Sequence, residues 1–213
     1  RESDPVKDIA KMCAEHNVPL VINNAYGVQS ERTMSEIRSA ADAGRVDAVV
    51  QSSDKNFLSP VGAAIIVSPS KEFIEQVAET YAGRASAAPV VQTLAALLAL
   101  GLNNYKDLQG QQVENKELLH EKLDEIADKL GQRVLSVWNP VAYAITMDGL
   151  DVKEIGARLY NARVTGPRAV EKGAYGSSSD NYPHSYLVMN AAIGASKNDV
   201  ETATTKLDKE ASR

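Results

Sequence analysis

The chain has 213 residues, 44% of them hydrophobic and 24% charged, and its 28 acidic and 23 basic side chains give a formal net charge of −5. This balance argues against a generally basic nucleic-acid-binding surface but leaves room for a local basic patch. One cysteine excludes an intrachain disulfide framework, and three scattered histidines offer no metal-ligand spacing. A single cysteine fits a reducing compartment, and no apolar run is long enough to span a membrane, so we expect a cytoplasmic protein.

The first residues, RESDP, contain neither an initiator methionine nor a targeting segment. We therefore expect the chain to be a piece of a longer protein. Asp4 and Pro5 then predict the start of a helix that reaches about His16, followed by a short buried strand at 19–23 and a helix over 31–43.

The segment 46–67, VDAVVQSSDKNFLSPVGAAIIV, follows that helix. It indicates an apolar strand, a polar turn and a second apolar strand, and we expect both strands to be buried on both faces. The order helix, strand, helix, strand predicts a parallel sheet of an α/β protein.

The remaining pattern predicts helices, then a smaller α+β lobe. The predicted helices cover 70–81, an apolar stretch 89–102, and an amphipathic stretch that begins after an interruption at Asn103-Asn104 and ends near 130. From 131 onward we predict strands at 133–137, 141–146, 163–165 and 186–192, helices at 151–160 and 199–211, and a mobile polar loop at 171–181. Ser196 with Asp199 predicts a capping box at the start of the last helix. We divide the chain into the C-terminal part of a large α/β domain, 1–103, and a linking helix with a small α+β domain, 104–213.

Lys55 lies in the polar turn between the two apolar strands. A lysine in such a place must be solvated, paired or chemically occupied. One occupation is covalent attachment of pyridoxal phosphate, after which the amine also serves as a base. Residue type and spacing leave a second interpretation open, in which Lys55 is an ordinary exposed loop residue.

A second polar turn, Asn23-Asn24-Ala25-Tyr26-Gly27, ends the first strand. With Lys55, it resembles the pyridoxal-phosphate superfamily of the aspartate-aminotransferase fold, in which an Asp-X-Ala element holds the pyridine nitrogen. Asn23 stands where that superfamily usually has aspartate. An amide stabilises the protonated form of the pyridine nitrogen less than a carboxylate does. The ring would therefore be a weaker electron sink, which suits β-elimination better than transamination.

Four blocks are more specific: NNAYGVQS, VQSSDKNFLSPVGAAI, YAGRASAAP and DNYPHSYLVMNAAIG. Together they resemble the C-terminal half of the O-phosphoseryl-tRNA(Sec) selenium transferase family. The resemblance implies an enzyme that uses pyridoxal phosphate and selenophosphate to convert the phosphoserine on tRNA(Sec) to selenocysteine, by loss of phosphate and addition of selenium. It also implies a homotetramer with active sites between subunits.

The resemblance assigns the site residues. Lys55 would carry the cofactor and remove the Cα proton, Asn23 would contact the pyridine ring, and Ser52 and Gln51 are further cofactor contacts. Arg84 matches the arginine that binds the phosphoseryl phosphate, for which a guanidinium is suited by bidentate bonding.

Two departures from the family concern the tRNA. Asp42 replaces a tRNA-contacting arginine, and nearby Arg45 is the residue that could substitute. The loop 171–180 is shorter than in relatives and normally carries a contact to the tRNA acceptor.

Alternatives remain within the fold and outside it. The first is another pyridoxal enzyme, a cysteine desulfurase or a lyase acting on free amino acids. The second is a non-catalytic scaffold that kept the fold, against which the presence of Lys55, Asn23 and Arg84 argues. The phosphate-binding loop and the residue that stacks on the ring would belong to a missing N-terminal half, so we expect chain 1–213 alone to be inactive.

Overall fold

The computed structural model describes residues 3–174 and 182–213. These form two units, Ser3–Asp107 and Leu108–Arg213, and the division falls inside one long helix. In chain order the elements of the first unit are α1 Val6–Glu15, β1 Val21–Asn23, α2 Glu31–Ala43, β2 Ala48–Ser52, α3 Ser53–Asn56, β3 Ala64–Val67, α4 Lys71–Thr80 and the first part of α5 Ala88–Leu130.

The sheet of the first unit has the order β1-β2-β3. Strands β1 and β2 run parallel, with Asn23 opposite Val50, and this confirms the predicted parallel pair. Strand β3 runs antiparallel to β2. Helices α1 and α2 pack so closely that a Cβ on Gly44 would lie 2.3 Å from the carbonyl carbon of Ala10.

The prediction that both strands around Lys55 are buried on both faces is wrong for β3. Ile66 and Val67 are 40% and 51% exposed. The reason lies in the sheet order, because β3 is an edge strand with β2 on one side only among the described residues. The polar turn between the strands is itself a single helical turn, α3.

Helix α5 consists of two helical segments that meet at a kink, and its one non-helical residue is Gly101, with φ 68° and ψ 167°. The predicted interruption at Asn103-Asn104 is therefore misplaced. The Asn104 side chain donates to the Leu100 carbonyl at 2.8 Å and stays in the helix, whereas glycine adopts a positive φ without a Cβ penalty. The apolar stretch 89–102 is largely exposed within this unit, because Val90 and Leu98 are more than two-thirds exposed.

The second unit contains an antiparallel sheet of order β4-β6-β5. Its elements after α5 are β4 Ala142–Thr146, α6 Val152–Asn161, β5 Arg168–Val170, β6 Tyr186–Asn190 and α7 Lys197–Ala211. Leu123, Ile145 and Leu187 are fully buried in its core. Ser196 and Asp199 form the predicted capping box at the start of α7.

Two predicted strands in this unit are wrong. At 133–137 a single bridge, Val134 to Ile145, forms, because the Val137 amide turns back to the Leu135 carbonyl. At 163–165 the chain is closing helix α6, and Arg163 has φ 65°. Most of the predicted mobile loop, 175–181, lies outside the described residues. None of the described helices has the length and apolar character needed to cross a membrane.

Candidate functional site

Two polar turns lie together at the carboxyl edge of the parallel pair β1–β2. Strand β1 ends at Asn23, and strand β2 ends at Ser52 where α3 begins. The Asn24 amide donates to the Val50 carbonyl at 2.8 Å, so the ladder continues to the first residue after β1. The carboxyl edge of such a sheet is where α/β proteins bind ligands. The fold therefore brings Asn23 and the Lys55 turn to one edge, as the sequence predicted.

The turn after β1 leaves the Asn23 amide nitrogen available. Asn23 Oδ1 accepts a hydrogen bond from the Ala25 amide at 3.2 Å, and the residue is exposed. Its Nδ2 has no hydrogen-bond partner among residues 3–174 and 182–213. Gly27 closes this turn where no side chain fits, because a Cβ there would lie 2.0 Å from Asn24 Oδ1. The turn thus presents an amide donor from a fixed backbone.

Lys55 is exposed on α3, and its Nζ lies 4.7 Å from the centroid of the Tyr26 ring. An ammonium over an aromatic face is attracted by the ring quadrupole. Across the described part of the chain, Lys55 has no ion pair. The amine is therefore accessible to a ligand and is oriented by a residue of the neighbouring turn.

Several buried polar atoms around Lys55 lack a hydrogen-bond partner in the described structure: Gln51 Oε1, Ser53 Oγ, Asn56 Oδ1 and Ser59 Oγ. Each such atom costs free energy unless another group satisfies it. Ser52, the other predicted cofactor contact, is half-buried, and its carbonyl accepts from the Asn56 side chain. Of these atoms, Gln51 Oε1 belongs to a predicted cofactor contact and is an acceptor that a polar ligand can satisfy.

Sequence reasoning assigned no role to Tyr26 or Asn56, although both contact the candidate site. Asn56 Nδ2 donates to the Ala25 carbonyl at 2.8 Å, across to the other turn. An asparagine after a lysine in a polar turn is typical of solvent-exposed loops, so the sequence carried no signal that this side chain is fully buried.

Arg84 lies in an exposed turn between α4 and α5. Its guanidinium forms no ion pair or hydrogen bond with the described residues, and no described contact joins it to the Lys55 turn. The structure therefore leaves Arg84 free to bind an anion but does not bring it against Lys55.

Arg45 lies at the opposite end of β2 from Lys55. Its Nε and Nη2 donate to the Asp47 carboxylate at 2.8–3.0 Å, and its Nη1 donates to Asn17 Oδ1 at 2.7 Å. The hydrogen bonds from Arg45 hold the pKa of Asp47 below its ordinary value, against the effect of burial, and the Leu20 amide adds a further bond at 2.7 Å. With three of its N–H groups engaged, the guanidinium retains two donors for any other ligand.

A second polar cluster lies in the second unit. His184 Nδ1 bonds to the Asp148 carboxylate, and the Arg133 Nη2 group lies 2.8 Å from His184 Nε2. Since arginine only donates, the contact with Arg133 fits the tautomer in which Nε2 accepts and Nδ1–H points to Asp148. Although burial raises the pKa of Asp148, hydrogen bonds from His184 and the Ser185 amide hold it below its ordinary value. The described residues contain no group of three or more His, Cys, Asp or Glu side chains that could hold a metal ion.

The sequence and the structure were each compared with those of known proteins. The model of the family O-phosphoseryl-tRNA(Sec) selenium transferase, SepSecS, matches residues 1–212. The O-phosphoseryl-tRNA(Sec) selenium transferase of Methanopyrus kandleri is 45% identical over 213 residues, which is 99% of this chain and 49% of that protein. A crystal structure of an archaeal member superposes with a TM-score of 0.91 at 43% identity, over 97% of this chain and 48% of that chain.

More distant structures share the fold alone. The Oryza sativa TDC structure with PLP superposes with a TM-score of 0.74 at 12% identity, covering 98% of this chain and 45% of that one. The predicted fold class, α/β with the architecture of fold-type-I pyridoxal-phosphate enzymes, is confirmed. The chain spans about half the length of the curated relatives it matches.

Proposed function

Because this chain belongs to the O-phosphoseryl-tRNA(Sec) selenium transferase family, we propose that the protein containing it makes selenocysteine on tRNA(Sec). The substrates are the phosphoserine carried by that tRNA and selenophosphate. The reaction is β-elimination of phosphate followed by addition of selenium, and the cofactor is pyridoxal phosphate. The observation that supports this most directly is the exposed Lys55 amine at the carboxyl edge of β1–β2, the same edge at which Asn23 Nδ2 is available to donate.

The residues present fit the cofactor. Lys55 has an amine available for covalent attachment, and Asn23 Nδ2 can donate to a ring nitrogen. Gln51, with its buried and unpartnered Oε1, and Ser52 are the further contacts. When bound, the cofactor withdraws electrons from the substrate Cα so that groups on Cα and Cβ can leave.

The chain's own residues supply proton transfer and substrate binding. Lys55, whose amine is exposed, would serve as the general base that removes the Cα proton. Arg84 binds the phosphate of phosphoserine through its unoccupied guanidinium. Asn23, a neutral donor, would stabilise a protonated ring nitrogen less than a carboxylate would, which favours elimination over transamination.

The remaining partners belong to the same proposal. Arg45, with two N–H groups uncommitted, is the candidate for a tRNA backbone contact. The exposed apolar side chains of α5 and the open edge of β3 support an N-terminal half that completes the domain and a homotetrameric assembly. Chain 1–213 alone is expected to be inactive. A tRNA substrate and a single cysteine suit the cytoplasm.

The test of the cofactor site uses the full-length protein. Pyridoxal phosphate is added, the adduct is reduced with borohydride, and the modified peptide is mapped by mass spectrometry. We expect the label on Lys55 and its loss in Lys55→Ala. Lys71→Ala is the matched control, because Lys71 is an exposed lysine of the same unit, and it should label normally. Equal labelling of Lys55→Ala and unsubstituted protein would remove Lys55 from the cofactor site.

The test of the substrate compares phosphoseryl-tRNA(Sec), free phosphoserine and free cysteine. Selenium transfer from selenophosphate that depends on the charged tRNA supports the proposal. Sulfide release from free cysteine without tRNA would favour a desulfurase, and absence of any turnover with a labelled Lys55 would favour a scaffold.

A further inference from the structure

Asn56 links the two turns of the candidate site. It is fully buried, and its single Nδ2 group donates to the Ser52 carbonyl at 2.6 Å and to the Ala25 carbonyl at 2.8 Å. The first bond is local, four residues back along the chain. The second crosses 31 residues to the turn that follows β1.

This bond lies beyond the end of the strand ladder. Backbone pairing fixes β1 against β2 up to the bond from the Asn24 amide to the Val50 carbonyl. Past that point the chain continues as the turn after Asn23 on one side and as the Lys55 turn on the other. The Asn56 amide adds a direct link at Ala25, two residues from Asn23 and adjacent to Tyr26, whose ring lies under the Lys55 amine.

The chemistry of the position is restrictive. Both acceptors are backbone carbonyls, so the side chain must supply two N–H groups from one atom, which a primary amide does. Aspartate has nearly the same shape but would place a carboxylate oxygen against two carbonyl oxygens. Serine has one hydroxyl, which suits the local bond to the carbonyl four residues back but is too short to reach Ala25.

We infer that Asn56 is a positioning residue of the cofactor site: it holds the Asn23 turn in register with Lys55, so that the ring-nitrogen contact and the amine meet one cofactor molecule. This inference rests on the proposed function of Lys55 and Asn23. Asn56 acts through the backbone of the neighbouring turn and touches neither substrate nor cofactor in this role.

The test uses full-length protein with Asn56→Ser, which retains a donor for the local bond and removes the link to Ala25. Asn56→Ala is the second variant. Ser53→Ala is the matched control, because Ser53 lies on the same helical turn, is fully buried and has an Oγ without a described partner. Two quantities are measured: amide hydrogen exchange of 23–30 in cofactor-free protein, and the pyridoxal phosphate concentration that half-saturates labelling of Lys55.

For Asn56→Ser we expect exchange in 23–30 to rise by about tenfold and the half-saturating concentration to rise by a similar factor, as loss of a buried hydrogen bond implies. Exchange of α1 should stay unchanged, which shows that the unit remains folded. Ser53→Ala should alter both quantities by less than about twofold.

The outcomes separate this inference from the proposed function. If unsubstituted protein labels at Lys55 and Asn56→Ser labels with equal affinity, the positioning role is wrong and the cofactor site stands. If unsubstituted protein does not label at Lys55, the proposed function fails and the positioning role fails with it. If hydrogen exchange in α1 also rises in Asn56→Ala, the comparison is decided on Asn56→Ser. If exchange in α1 rises in Asn56→Ser too, Asn56 is a general stability residue and the inference is overturned.

Discussion

Gly44 is the position where a single methyl group should do most damage to the first unit. A Cβ at this residue would lie 2.3 Å from the carbonyl carbon and oxygen of Ala10 and 2.5 Å from the Lys11 amide nitrogen. Its φ of −165° is ordinary extended backbone, so the obstacle is space and not conformation. In Gly44→Ala, helix α1 would have to retreat from α2 by about 1 Å, because all the crowding atoms are backbone.

The expected cost is at the upper end of the overpacking range, about 2–3 kcal/mol. The retreat would also lengthen the bond from the Arg45 amide to the Ala10 carbonyl, which is 2.9 Å. The chain has two units, so hydrogen exchange read peptide by peptide is the appropriate assay. Where exchange proceeds by unfolding of the first unit, peptides of α1 and α2 should exchange roughly 30- to 150-fold faster, while peptides of α6 and α7 keep their rates.

Gly83→Ala is the control, since no atom lies within 4 Å of a Cβ at that position. It should leave exchange in both units unchanged. If Gly44→Ala were as protected as Gly83→Ala, the close contact of α1 with α2 would not exist in solution, and the packing argument would be refuted.

Two further predictions concern charge and helix propensity. The pKa of Asp47 in the folded protein is below its ordinary value. The charged carboxylate therefore stabilises the fold at any pH above the pKa of the unfolded chain, about 3.9. This contribution is lost as the pH falls through the folded pKa. Asp47→Asn should therefore lower the urea midpoint at pH 7, with the difference vanishing at the acid end of a pH series; a difference that stays constant with pH would contradict the charge argument. Gly110 lies in α5, and a Cβ at this position would meet open space. Gly110→Ala should therefore stabilise that helix by about 0.5–1 kcal/mol. The measurement is the urea midpoint, which should rise; an unchanged or lower midpoint would count against the prediction.

The sequence predicted the parts of the fold that depend on local pattern. Ser196 with Asp199 predicted a capping box, and the alternation of helices with short apolar strands predicted the parallel pair β1–β2. Asn23 and Lys55 could be placed at one edge because strand order and direction suffice for that.

What the sequence could not predict depends on contacts distant along the chain. The burial of Asn56 follows from a bond to Ala25, and nothing in a local window distinguishes it from a solvated asparagine. Gly101 carries the irregularity of α5 although Asn103-Asn104 has the stronger breaker composition, because the Asn104 side chain caps a carbonyl of its own helix. The segment 133–137 makes two backbone bonds to β4 and then turns away, because the Val137 amide donates to the Leu135 carbonyl.

Strand β2 has a consequence for how this protein tolerates change. The Arg45–Asp47 ion pair directly precedes the strand, and the Lys55 turn directly follows it. The five residues of the strand span roughly 13 Å. Substitutions at positions so far apart, with no shared partner, combine additively. Stabilising substitutions at the amino end can therefore offset the stability cost of substitutions that alter reactivity at the carboxyl end, while cofactor affinity is held constant.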